Sequence, residues 1–188
     1  GMLTTLPLRV EYAASPTVGL GLGAGLALTI NIILPLLMQL IAMPFWGRWF
    51  DRANFIVLRI ALNGTMCASV VLFFLPTVLA MSETAGLCCL IAGNLLLGFG
   101  QGGGTIAWNL WVTKYSPADR TADYMTVHTF LTGTRAAIAP AIGFTIAAVL
   151  GVGTMAAIGG GLMLLSVLML APVIRHGDSR TRVDGAAP

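Results

Sequence analysis

Apolar residues fill five long stretches of this chain, and polar or charged residues break them apart at regular places. The charge-poor runs lie at about 20–46, 55–80, 84–113, 121–150 and 153–174, here called spans A to E. A helix that crosses the ~30 Å hydrocarbon core needs about 20 apolar residues, and each run is long enough. None shows the period-two alternation of a membrane-spanning strand, and all are too long for one. The pattern predicts an all-α integral membrane protein with five full transmembrane helices. Residues 1–19 are expected to hold the external end of a sixth, truncated helix (Met2–Val10, apolar but too short to span) and an external loop. Residues 175–188 are expected to form a polar tail.

The links between spans set their directions. Gly151-Val152-Gly153 joins spans D and E, and Met81-Ser82-Glu83 joins B and C; links this short connect antiparallel neighbours. The links at 47–54 and 114–120 are longer and charged. Alternating spans put Arg48, Arg52, Arg59, Lys114, Arg120, Arg175, Arg180 and Arg182 on one side and Arg9 on the other. Basic residues mark the cytoplasmic side. The charged loops and the carboxy terminus are therefore predicted to be cytoplasmic, with Glu83 and the amino terminus external, in a multi-pass protein of the cell (inner) membrane. An external amino terminus with an odd number of spans is expected of a piece of a longer chain.

Composition agrees: 57% of the 188 residues are hydrophobic and 9% are charged, against about 25% charged in soluble domains. The net charge of +3 reflects the loop residues, and no basic face with aromatics suits nucleic acid. Cys67, Cys88 and Cys89 lie in apolar runs without His, Asp or Glu at ligand spacing, so they read as small hydrophobes and no metal site is expected. No cofactor is expected either. Gly98-x-Gly100-x-x-Gly103 fits a dinucleotide fingerprint formally, but that motif needs a strand–turn–helix setting. Inside a long apolar run, small residues for close helix packing explain it. The same reading covers Gly19, Gly21, Gly23 and Gly25.

Polar residues inside the spans are the candidate chemistry. Asn94, Gln101, Thr105 and Trp108 share one stripe of span C, and Asn31, Pro35 and Gln39 share one of span A. They serve either interhelical hydrogen bonds or a water-filled cavity. Span E carries only Thr154 and Ser166, and span B carries Asn63, Thr65 and Ser69 near one end. By polarity, A, C and D read as inner helices and B and E as lipid-facing. Span D holds His128, Thr132 and Arg135; seven residues separate His128 from Arg135, which returns to within about 20° with a rise of about 10 Å. A lone His is more often structural than a proton relay. Arg135 reads as the one charge deep in the membrane, some 14 residues from either end of its span, where it costs roughly 2.5–3.5 kcal/mol on insertion scales. With no acid deep inside a span, its partner is expected to be an acid on a missing half, a bound anion or backbone carbonyls.

The link Gly47-Arg-Trp-Phe-Asp51-Arg52-Ala-Asn54 resembles the signature loop of the major facilitator superfamily, roughly G-x-x-x-D-R-x-G-R-R. Gly47, Asp51 and Arg52 match; Asn54 and Phe55-Ile56 depart. Gly98–Gly104, the Pro117-Ala-Asp119-Arg120 loop and Gly133–Gly143 with Pro140 are similar to the family's Gly-rich helix, P-x-x-R loop and small-residue helix, in the family's order. The resemblance implies an MFS-type C-terminal bundle, the last five helices of twelve. It implies transport of a small solute by alternating access, with no enzyme activity, completed by the missing amino-terminal half. It also implies close helix approach at Gly47 and a cytoplasmic latch of Gly47, Asp51, Arg52, Asp119, Arg120 and Asp123, in which Asp119 or Asp123 caps span D. The expected partners are the bilayer, that missing half and a small-molecule substrate, with an anion among the candidates. The rival class is a non-transporting membrane scaffold or assembly subunit. An intramembrane enzyme would need a nucleophile–base pair or metal ligands, and His128 stands alone.

Overall fold

The computed structural model describes residue 9 and residues 12–16, 19–79 and 81–173. These residues are almost all helical, and no strand occurs among them. Five helices are long and apolar enough to cross a membrane: α1 (Ala24–Arg52), α2 (Phe55–Val78), α3 (Glu83–Tyr115), α4 (Thr121–Leu150) and α5 (Val152–Leu170). They coincide with the five apolar runs to within a few residues, except that α1 runs on to Arg52. The Gly47–Arg52 segment is therefore helical, and only Ala53 and Asn54 separate α1 from α2. The Asn54 side chain accepts from the Ile56 N–H at 2.8 Å, capping α2. Ser82 does the same for α3, accepting from Ala85 N–H. Each supplies one of the acceptors that the first turn of a helix lacks.

α1 is interrupted by a π turn, Thr29–Ile33, where the Leu34 N–H bonds to the Thr29 carbonyl. Pro35 explains it. Proline has no N–H to give to residue 31, and its ring presses on that carbonyl. Widening the turn before it relieves the clash.

Helix α3 is the centre. It packs along α1 on one side and α2 on the other; α2 in turn carries α5, and α4 rests on α5 and lightly on α3. Of each helix's most apolar 18-residue window, 44% is buried in α3, 33% in α2 and only 6% in α4. Within this bundle, then, α2 is an inner helix and α4 stands at an edge. A polar residue marks a face of its helix, not how close that helix lies to the centre.

The α1–α3 seam depends on absent side chains. A Cβ at Gly98 would stand 2.3 Å from the Pro35 carbonyl oxygen, and one at Gly102 would stand 2.8 Å from that of Gln39. One at Gly103 would strike Trp46 and Leu62. Trp46, 2% exposed, donates its indole N–H to the Phe99 carbonyl at 2.7 Å. By contrast, a Cβ at Gly47 would meet only Ile106, at an ordinary 3.8 Å. The close approach that the resemblance implies at Gly47 lies instead at Gly98 and Gly102.

Candidate functional site

The two polar stripes meet across this seam. Gln39 donates to Thr105 Oγ1 at 3.1 Å, and Asn94 donates to Asn31 Oδ1 at 3.4 Å and to the Leu90 carbonyl at 3.0 Å. Thr105 also bonds back to the Gln101 carbonyl, and the Trp108 ring folds over Gly104. Asn31, Gln39, Asn94 and Thr105 thus form interhelical hydrogen bonds; Gln101 and Trp108 lie half-buried beside them. The π turn carries Asn31, so the irregularity in α1 sits at the cluster.

The residue that sequence reasoning missed is Arg9. Counted with the external charges, it is instead buried, with 8% of its surface exposed. Its Nη1 donates to Asn94 Oδ1 at 3.4 Å, and the guanidinium lies over the Phe73 ring, 5.3 Å from its centroid. Asn94 is fully buried, 11 residues inside α3 from Glu83, which puts it about 16 Å below that helix end. Arg135 is therefore not the only charge within the bundle. In the sequence Arg9 shows only as a charge between Leu8 and Val10, near the edge of an apolar run.

Span D places its candidates differently. His128 and Thr132 are half-buried and Arg135 is exposed. The Trp111 indole nitrogen lies 3.4 Å from both ring nitrogens of His128, with the rings edge to face at 5.4 Å. His128 thus packs α4 onto α3. Among the described residues Arg135 makes no hydrogen bond. Two clefts flank Trp111 at the charged end. One, of about 520 Å³, is lined by Arg59, Ser166 and apolar residues of α2 and α5. The other, of about 420 Å³, includes Arg120, Asp123, Tyr124 and His128.

The proposed latch residues Asp51, Arg52, Asp119, Arg120 and Asp123 are all exposed, and Gly47 is half-buried. Neither Asp119 nor Asp123 caps α4: no side chain does, although Asp123 lies in the first turn. The connection is tied by Ser116 and Thr121 hydroxyls 2.9 Å apart, and Thr121 bonds the Pro117 carbonyl. The helix ends are joined elsewhere, by Lys114. Its ammonium donates to the Phe50 carbonyl and lies 4.2 Å from the centroid of the Phe50 ring. A cation there meets both an orphan carbonyl and the negative end of the α1 dipole.

Fold and site together define a helical chain of the multi-pass membrane kind, with a polar seam between α1 and α3. No family model, curated protein or solved structure matches it. Among the described residues no group of three or more His, Cys, Asp or Glu is placed to hold a metal ion.

Proposed function

We propose that this chain is half of a major-facilitator-type secondary transporter. It moves a small solute across the cell membrane by alternating access, with its charged links and carboxy terminus in the cytoplasm and a second helical half completing the cavity. The observation that carries this reading is the order of three motifs along the chain. Gly47-x-x-x-Asp51-Arg52 closes α1, the Gly98–Gly104 run lies in α3, and Pro117-Ala-Asp119-Arg120 leads into α4. The glycine seam and the amides along it support the reading, because a transporter needs helices that approach closely yet hold polar groups at membrane depth. The exposed flank of α4, with Arg135 on it, is available to the second half.

The test is solute flux in proteoliposomes holding the full-length protein. Saturable uptake or exchange of at least one solute is expected. Asp51→Ala should change its rate several-fold while the amount of folded protein stays constant. Unchanged flux with lost expression would remove the latch role, and absence of flux across a broad solute panel would favour a scaffold.

A further inference from the structure

We infer that Arg9, Asn94 and Asn31 form a recognition site for a small carboxylate or phosphate anion. The argument begins with charge. A guanidinium stays protonated in any protein, and removing it from water costs several kcal/mol unless an opposite charge and full hydrogen bonding offset the loss. Arg9 is buried, yet its contacts among the described residues are neutral: one amide oxygen and one aromatic face. A guanidinium has five N–H donors arranged as a fork that matches a carboxylate or phosphate. A single 3.4 Å bond to Asn94 uses one of them.

The surroundings are shaped around that group. Phe73 can lie under the guanidinium because position 93 is glycine; a Cβ there would stand 2.9 Å from the Phe73 ring. Ser69 fixes the same level by donating to the Gly93 carbonyl at 2.8 Å. From the other side, the π turn brings in Asn31, the half-buried end of the cluster. Both links in the Arg9–Asn94–Asn31 chain are 3.4 Å, at the weak end for hydrogen bonds. Asn31 faces the cluster with its oxygen, its own amide N–H donating to the Ala27 carbonyl at 3.0 Å. An anion entering past it accepts from the Arg9 fork and from the Asn94 N–H now given to Asn31, replacing two slack contacts with charge-assisted ones. The cluster therefore supplies donors, a fixed positive charge and an aromatic floor, and among the described residues it lacks only an anionic acceptor.

This inference gives the transporter reading its substrate class and rests on that reading for what binding accomplishes; binding itself is tested separately. Full-length protein in neutral detergent is titrated with benzoate, succinate or inorganic phosphate, with glucose and choline as uncharged and cationic comparisons, and thermal stability is followed. At least one anion is expected to raise the Tm saturably, and the comparisons are not. Asn94→Asp places a carboxylate of the same size against Arg9. It should fold at least as stably as the parent without ligand and bind the anion ten-fold or more weakly. No response of the parent to any anion, or a parental response in Asn94→Asp, overturns the site. Proteoliposomes of pure phosphatidylcholine, which hold no anionic headgroup, separate the two claims. Anion binding without flux upholds the site and ends the transporter reading. Flux of a neutral or cationic solute without anion binding ends the site and leaves the transporter reading standing.

Discussion

At position 98 a single methyl group decides whether α1 and α3 can touch. Gly98→Ala would set a Cβ 2.3 Å from the Pro35 carbonyl oxygen, a backbone atom with little room to retreat. The expected cost is roughly 1–3 kcal/mol, read as a lower Tm and less monodisperse protein on size exclusion in detergent. Gly64→Ala is the matched comparison. Its Cβ would meet nothing within 4 Å, so helix propensity should leave it neutral or stabilised by up to about 1 kcal/mol. Equal effects in both would refute the close-packed seam. Lys114→Met keeps the length of the side chain but loses the bond to the Phe50 carbonyl; a loss of about 1–2 kcal/mol is expected, without change at the Asn94 end. At this scale the sequence was legible where residue type and environment coincide: the glycine run of α3 means close packing, whereas Gly23 and Gly25, given the same reading, meet nothing within 4 Å. It was not legible for Arg9, because a charge near the edge of an apolar run looks like a loop residue until a neighbouring helix is seen to cover it.

Helix α1 shows how an element can be predicted in extent and still be misread in detail. Its apolar run marked the helix, and Asn31, Pro35 and Gln39 marked its polar stripe. What spacing could not reveal was the π turn, since a stripe drawn at constant pitch passes straight through it. Pro35→Ala restores an N–H for residue 31 and removes the ring clash. The turn is then expected to close to ordinary α geometry, rotating Asn31 by about 100° away from Asn94. A short thiol cross-linker joining Asn31→Cys to Asn94→Cys, with the native cysteines replaced, should link efficiently with Pro35 present and poorly with Pro35→Ala. Efficient linking in both would mean that Pro35 is not what holds the turn open. The end of α1 was misread for a related reason. Charged residues signalled a loop at 47–54, yet Arg48, Asp51 and Arg52 are helical, because a helix that passes out of the apolar layer can continue in water.

For the molecule as a whole, the longest helix sets the span: α3 is longer than a bilayer is thick. α3, with 33 residues, measures about 50 Å against a hydrocarbon core of about 30 Å. Set across a bilayer, its ends would reach the interfacial layers, which makes sidedness measurable. In intact cells Ser82→Cys should react with a membrane-impermeant maleimide, while Ala53→Cys should react only after permeabilisation. The opposite result would invert the orientation drawn from Lys and Arg counts. The extents and spacing of the five long helices among the described residues were legible in the sequence. Their packing order was not, because polar content cannot tell a helix that faces its own bundle from one such as α4, which leaves most of its surface for other contacts.

The π turn of α1 has a further consequence, in the arithmetic of insertions. A turn closed by an i→i+5 bond contains one residue more than the α turn it replaces. Every residue on the far side of Thr29–Ile33 is thus displaced by one step from the wheel that an uninterrupted helix would follow. A related chain one residue shorter at this place, with no proline at position 35, would keep each downstream contact with α3 through Gln39, Ala42 and Trp46. It would lose only the local widening that presents Asn31. A single-residue gap in that short window, elsewhere a sign of disrupted helix, would here mark a relative that has kept the seam and given up the contact of Asn31 with Asn94.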